Sequence, residues 1–276
     1  MTTRTQRATA TIAGWIPSGI KVALRGKSSS PRRIAGAIHR LLNRLPGERY
    51  PILDCRGPLD GYRMKLDWQK HRSFAYGTWE PEVVSAVSQF VTPGMSAIDV
   101  GAHGGFFALL LARLVGPLGK VIAFEPLPAN FRILQHNIGM NALENVIAEP
   151  LAVSGYSGEL AFEVPPEDSS LLAGPFADTD ERCAVSVRCV ALDEYCARKQ
   201  LRPGFIKVDV EGAETDVLDG AERIIREFHP AMMIELHEFE NPEDHRIVVH
   251  LRAMGYAVEW VGEISYTAHF LARWRR

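Results

Sequence analysis

From residue 96 onward, apolar and polar positions fall into a regular rhythm. Residues 97–100 are a short apolar run that ends in glycine, which predicts a buried strand. An apolar stretch at 106–114 predicts a helix. A second strand at 120–124 stops at Glu125-Pro126, a second helix covers 129–140, and a third extended segment spans 145–153. The rhythm breaks over 155–190, where Gly155, Gly158, Pro165, Pro166, Gly174 and Pro175 punctuate short runs. That segment predicts an inserted hairpin and loop. A helix at 192–200, a strand at 205–210, a helix at 213–228, a strand at 231–236 and a helix at 244–254 resume the alternation. Strands at 256–261 and 265–271 close the chain as a hairpin around Gly262-Glu263. Strands alternating with helices at this spacing predict an α/β fold, a mostly parallel seven-stranded sheet with an antiparallel terminal hairpin. In such a sheet, ligands bind at the carboxyl ends of the strands.

The upstream pattern differs. Pro81 opens a helix that runs to about residue 90, with proline in the first turn. Residues 50–76 carry short mixed runs around Gly57, Pro58 and Gly61 and predict a β-rich entry segment. Ile34, Ile38, Leu41, Leu42 and Leu45 recur at helical spacing, with Arg33, Arg40 and Arg44 among them, so 32–45 is an amphipathic helix. Gly26 to Pro31 reads as a linker. The expected organisation is a helical and β extension at 1–75, partly disordered at its start, followed by the α/β domain at 76–276.

Charge sharpens that division. Residues 1–50 hold ten Lys/Arg and one acid, Glu48, whereas the remainder holds 21 basic and 32 acidic residues. The basic arm is either a solvated leader or a contact for an anionic surface. An acidic body without a basic, aromatic-laced stripe argues against a nucleic-acid partner. No run of about 18 apolar residues predicts a membrane span, and the N-terminus lacks the pattern of a secretory signal. Cys55, Cys183, Cys189 and Cys196 do not have the spacing of a zinc site. They are expected to be free thiols, which places the chain in the cytoplasm.

Four constellations carry candidate chemistry. The first, Ile98 to Phe106, is a strand running into small residues and then a helix, so the backbone can approach a ligand closely. Its glycines at 101, 104 and 105 do not give the dinucleotide spacing, and Asp99 suits a cationic, amino-acid-like ligand better than a pyrophosphate. The second is Glu125, 24 residues after Gly101, placed to accept hydrogen bonds from ribose hydroxyls of an adenosine-type or NAD-type cofactor. The third, Lys207 to Glu214, packs Asp209, Glu211 and Glu214 around a strand–helix junction. These acids either orient and deprotonate an acceptor hydroxyl, hold a divalent cation, or simply complement the helix dipole. In the fourth, Glu235 and His237 alternate onto one strand face. His237 is a candidate general base, or just a hydrogen-bonded polar residue.

In order and spacing these phrases resemble the FkbM family of methyltransferases. The resemblance runs from Trp79-Glu80-Pro81 to Glu238 through several phrases. They are Asp99 to Gly105, Phe124-Glu125-Pro126, the helix with Asn130, Phe131, Leu134, Asn137 and Asn141, Leu151 to Ser154 with Gly158, Leu192-Asp193, and Lys207 to Glu214. It implies a class I, Rossmann-like methyltransferase fold and methyl transfer from S-adenosyl-L-methionine, usually to a hydroxyl of a sugar, polyketide or similar metabolite. It also implies site roles. Asp99, Gly101, Ala102, His103 and Gly105 would hold the methionine part. Glu125 with Pro126 would hold the ribose, with Asn130 nearby, and Ala152 would flank the adenine. Asp209 would face the transferred methyl, with Glu235 and His237 as further catalytic candidates. Position 103 departs from the family, where asparagine is usual. The 155–190 insertion is the candidate acceptor lid. A non-catalytic nucleoside-binding module and an NAD-dependent oxidoreductase are the alternatives.

Overall fold

The apolar run at 96–100 becomes a central strand of a seven-stranded sheet in the computed structural model, which describes residues 50–164, 183–237, 239–262 and 267–275. Strand β3 (Ser96–Val100) pairs in parallel with β4 (Lys120–Phe124) on one side and with β9 (Phe205–Val208) on the other. β4 continues in parallel to β5 (Val146–Glu149), and β9 to β10 (Ala231–Leu236). The closing hairpin, β11 (Tyr256–Val261) and β12 (Ala268–Trp274), then adds β12 antiparallel to β10. The order β11-β12-β10-β9-β3-β4-β5 is that of the class I methyltransferase sheet expected above.

The central strands have both faces covered, so they read as continuous apolar runs and not as alternation. Ile98, Val100, Ile122, Ile206 and Val208 join one core, together with α5 (Leu192–Lys199), α6 (Glu214–Asp219), α7 (Glu222–Phe228) and α8 (Arg246–Ala253). Ala97, Val121, Ala123 and Phe205 join the other, beneath α2 (Pro81–Phe90) and α3 (Phe106–Val115). Helix α3 is apolar nearly all round because it is buried nearly all round. Gly116 ends it with a positive φ, and Asn145 donates to the carbonyls of Ala112 and Gly116 at 2.9 Å each.

Several boundaries differ from the sequence pattern. The extended segment at 145–153 splits at Pro150, and its second part, β6 (Ala152–Val153), leaves the main sheet. β6 pairs with β8 (Cys183–Val190), which pairs antiparallel with β7 (Gly158–Val164). Residues 165–182 of the insertion lie outside the described residues. The single helix expected at 213–228 is two, α6 and α7, which meet at Gly220 and Ala221, where Gly220 packs against the Ser154 carbonyl. A Cβ there would lie 2.1 Å from that oxygen. β12 runs 268–274 and not 265–271, which brings His269 opposite Glu235.

The entry segment also differs. A hairpin of β1 (Ile52–Asp54) and β2 (Arg63–Lys65) is followed by a helix, α1 (Trp68–Tyr76), kinked at His71, where a β-rich segment was expected. Leu59, Met64, Leu66 and Phe74 are buried in the same core as α3, and residues 49–276 form one unit. The arm through residue 49, including the amphipathic helix expected at 32–45, lies outside the described residues. No helix among the described residues is long and apolar enough to cross a membrane. Cys55, Cys189 and Cys196 are free and buried.

Candidate active site

At the carboxyl ends of β3, β4 and β9 lies a cavity of about 680 Å³. Helix α4 (Pro128–Met140) follows β4 and closes one side. The turn after β3 defines the floor. Gly101 has φ +82°, and a Cβ on it would lie 1.8 Å from the Asp209 carbonyl oxygen, so only glycine lets the ends of β3 and β9 approach this closely. The Asp209 N–H donates to the Val100 carbonyl at 3.1 Å and locks the two turns together.

Glu125, at the end of β4, is 4% exposed and reaches back to the same turn. Its Oε2 accepts from the His103 N–H at 2.8 Å, and its Oε1 accepts from the Leu127 N–H at 3.0 Å and from Asn130 Nδ2 at 3.4 Å. Burial pushes its carboxyl up to about 7 despite these donors. Oε2, with one donor, retains a lone pair for a ligand hydroxyl, whereas Oε1 already accepts from two donors.

Asp99 is fully buried and lines the cavity, yet neither of its carboxylate oxygens has a hydrogen-bond partner. Lys207, also buried, lies 4.0 Å from Asp99 Oδ1 and 3.0 Å from Asp209 Oδ2. Asp209 is thus the lysine's main partner. Burial pushes the Asp99 carboxyl up to about 6, since the 4.0 Å contact offsets only part of it. Against burial, the Lys207 ammonium holds the Asp209 carboxyl below its ordinary value. Lys207 keeps its charge because two carboxylates outweigh its own desolvation.

Beyond Asp209 the acids and imidazoles form a network. His237 Nδ1 lies 2.7 Å from Oε1 of Glu214, which is 2% exposed and also accepts from the Gly212 N–H at 2.9 Å. His237 Nε2 faces Glu211 Oε2 at 3.4 Å and Glu235 Oε1 at 3.6 Å. Its pKa rises to about 9, first through the Glu214 bond, against burial, and then through the field of Glu235 and Glu211. On the far side of Glu235, His269 Nε2 lies 3.3 Å from Glu235 Oε2 and 3.7 Å from Glu80 Oε2. Two groups have a donor set suited to a cation, Asp209–Glu211–His237 and Glu80–Glu235–His269.

Of the residues singled out from sequence, Asp99, Gly101, Ala102, His103, Glu125, Pro126, Asn130, Ala152 and Asp209 all line the cavity. Three do not. Gly105 is the N-cap of α3, where a Cβ would lie 2.8 Å from Leu134 Cδ1, so it serves helix packing. Glu235 and His237 stand behind Asp209. Lys65, His71 and Trp79, from β2, α1 and the turn before α2, also line the cavity and were not anticipated. Glu214, one of the acids of the strand–helix junction, also lies outside the cavity lining. Its actual partner, His237, lies 23 residues away, a pairing that no local spacing reveals.

Comparison with known proteins places this site in context. A profile of the methyltransferase FkbM domain matches residues 99–258. A hexuronic acid methyltransferase, AglP, of Haloferax volcanii is 28% identical over 147 residues, 53% of this chain and 57% of that protein. Methyltransferase 1 of Beauveria bassiana is 30% identical over 142 residues, 45% of this chain and again 57% of the relative. The chain therefore spans little more than half the length of either. Among solved structures, the methyltransferase FkbM of Methylobacillus flagellatus KT aligns at 18% identity and a TM-score of 0.46, covering 65% of this chain and 43% of that one. The M. jannaschii protein TYW2, solved with AdoMet, aligns at 17% identity and a TM-score of 0.47, covering 83% and 86%.

Proposed function

The chain belongs to the methyltransferase FkbM domain family, and from that premise we propose that it moves the methyl group of S-adenosylmethionine to a hydroxyl oxygen of a sugar, polysaccharide or secondary-metabolite acceptor. The observation that carries this reading is the convergence of Gly101, Glu125 and Asp209 on one cavity. The residues present fit the cofactor. The volume of about 680 Å³ suits a ligand of this size. Glu125 offers a buried acceptor, Oε2, for a ribose hydroxyl. Asp99, buried without a hydrogen-bond partner, is matched by the cationic amino-acid end. A sugar-type acceptor is supported by the Haloferax volcanii relative, a hexuronic acid methyltransferase.

When bound, S-adenosylmethionine supplies a methyl group made electrophilic by its sulfonium. The protein supplies alignment and exclusion of water. Glu125 is held by three donors and fixes the ribose. Asp209 is kept ionised by Lys207, accepts a hydrogen bond from the acceptor hydroxyl to aim its oxygen, and takes the proton that this hydroxyl loses on methylation, passing it on to solvent. His237 keeps its proton at neutral pH because Glu214 and its other acid neighbours stabilise the imidazolium. It therefore balances the charge of Glu211 and Glu235, and becomes a proton acceptor only as pH approaches about 9. Glu235 joins the two imidazoles behind Asp209 and holds the wall on which Asp209 sits.

The test pairs two measurements on one protein, calorimetric titration with S-adenosylhomocysteine and transfer of labelled methyl to a panel of glycosides. Asp209→Asn is expected to keep S-adenosylhomocysteine affinity within about threefold while turnover falls by about 100-fold or more. Near-normal turnover in that variant would remove Asp209 from the chemistry. Absence of S-adenosylhomocysteine binding to the unmodified protein would remove the whole reading.

A further inference from the structure

Behind the wall that carries Asp209, three side chains from separate elements meet without a complete set of partners. Glu235 of β10 and His269 of β12 stand directly opposite one another in the antiparallel register, so their side chains leave the sheet on one face. Glu80 reaches them from the turn before α2. It is the N-cap of that helix, left-handed with φ +41°, yet its side chain makes no cap bond and lies against His269 instead. His269 Nε2 is 3.3 Å from Glu235 Oε2 and 3.7 Å from Glu80 Oε2. One proton on Nε2 cannot serve both carboxylates. Glu235 is the nearer, and Glu80 Oε2 is left buried with no hydrogen-bond partner. A buried carboxylate oxygen in that condition is costly, and it calls for a partner that the side chains themselves do not supply.

We propose that Glu80, Glu235 and His269 bind a divalent first-row transition ion, of the Mn²⁺ or Zn²⁺ kind, which ties the turn before α2 to the sheet. Two carboxylate oxygens and one imidazole nitrogen are donor types that these ions take. The spacing agrees. Donors that share an ion at about 2.1 Å lie roughly 3.0–3.5 Å from one another. The two contacts of His269 are 3.3 and 3.7 Å, and all three donor atoms lie within 4.8 Å of one another. A small rotation of the Glu80 carboxylate completes the set. The charge agrees as well. Two carboxylates match two positive charges, and Lys207, whose field reaches Glu80, is committed to Asp209 and Asp99. The other donor group, Asp209–Glu211–His237, is already balanced. Lys207 holds Asp209 at 3.0 Å, Glu214 holds His237 at 2.7 Å, and Glu211 is 83% exposed. The ion's role is structural. Trp79, next to Glu80, lines the cavity, so fixing Glu80 fixes that wall. Glu80 and His269 fall on either side of residues 99–258, which match the family profile, and the site does not depend on the methyl-transfer reading.

The experiment takes the full chain, stripped with EDTA and desalted, titrates it with Mn²⁺ at pH 8 and follows the free ion by electron paramagnetic resonance. The expected result is one Mn²⁺ held per chain, with nitrogen modulation from an imidazole ligand in the spin-echo spectrum. Thermal melts should rise with added Mn²⁺, because the ion binds the folded state. His269→Gln is expected to abolish the modulation and to weaken binding about tenfold or more. Glu80→Gln keeps the shape of the turn. It is expected to weaken binding similarly while the modulation persists, and it carries the test if His269→Gln proves unstable. His237→Gln is expected to leave both the affinity and the modulation as they are. No binding of Mn²⁺ by the unmodified protein overturns the proposal. So does binding that survives both His269→Gln and Glu80→Gln, or a loss that follows His237→Gln alone.

Discussion

Glu125 makes cofactor binding dependent on pH in a direction that follows from its surroundings. Its carboxyl is pushed up to about 7 by burial, against the Leu127 and His103 N–H groups and Asn130. Only the ionised form offers a ribose hydroxyl the remaining Oε2 lone pair without a competing proton. With a pKa near 7, roughly a tenth of the free protein is ionised at pH 6 and roughly nine tenths at pH 8. Affinity for methylthioadenosine should therefore rise about tenfold over that interval. This ligand is the suitable probe because it has no ammonium or carboxylate of its own to titrate. Asp99, the other acid facing Glu125, has a carboxyl raised to about 6, so Glu125→Gln is needed to isolate the effect. That variant should bind weakly and with no rise between pH 6 and 8. The same shift acts on stability. The folded-state value lies above the carboxyl's ordinary value of 4.5, so the contribution is complete below about 4.5 and lost as pH rises through 7. The unliganded protein should lose about 3 kcal/mol on this account. Thermal melts of the unliganded protein at pH 5 and 8 should show that loss, and Glu125→Gln should reduce it. An affinity that is flat with pH in the unmodified protein, or a rise that persists in Glu125→Gln, refutes the reasoning.

Other consequences are equally open to measurement. Gly101→Ala drives a Cβ into the Asp209 carbonyl and imposes a positive φ on alanine, so urea unfolding should show a loss of roughly 2–5 kcal/mol. An unchanged midpoint would mean that β3 and β9 do not meet as described. Lys207→Met strips two carboxylates of their cation and should cost roughly 3–5 kcal/mol at pH 8. The loss should shrink at pH 5, where Asp99 is mostly protonated, and an equal loss at both values would argue against the ion pair. The Cys55 and Cys196 thiols are buried and pushed up to about 11 and about 12. Mass-spectrometric mapping should find both unmodified by iodoacetamide in the folded protein and both modified in urea.

Much of the scaffold is legible in the sequence because its strands are apolar throughout. A run such as Lys120–Phe124 ending in Glu125-Pro126 declares both a buried strand and the point where it meets ligand. The glycine turn is legible for a similar reason, since small residues after a strand have few other uses. What stayed hidden depends on distant contacts. Helix α1 has no apolar stripe and a kink at His71, and it is held by Phe74 packing on Trp79 and Phe106, which no local pattern encodes. The separation of α6 from α7 falls where Gly220 packs on Ser154, a contact between distant segments. In the site, Glu125 could be read from its place at a strand end. The pairing of His237 with Glu214 and Glu211 and the wall around His71 could not, because residues of separate elements that folding brings together leave no spacing signature. Asp209 was read from position as an acid that orients or deprotonates an acceptor hydroxyl, holds a cation or complements the helix dipole. Its 3.0 Å contact with Lys207 adds an ion pair that favours its ionised form.

The most direct test is a crystal structure of the protein with S-adenosylhomocysteine. The account predicts a ribose hydroxyl on Glu125 Oε2 and the thioether above the Gly101 turn with its open side toward Asp209. A nucleoside seated anywhere but against Glu125, or a sulfur turned away from Asp209, would contradict it.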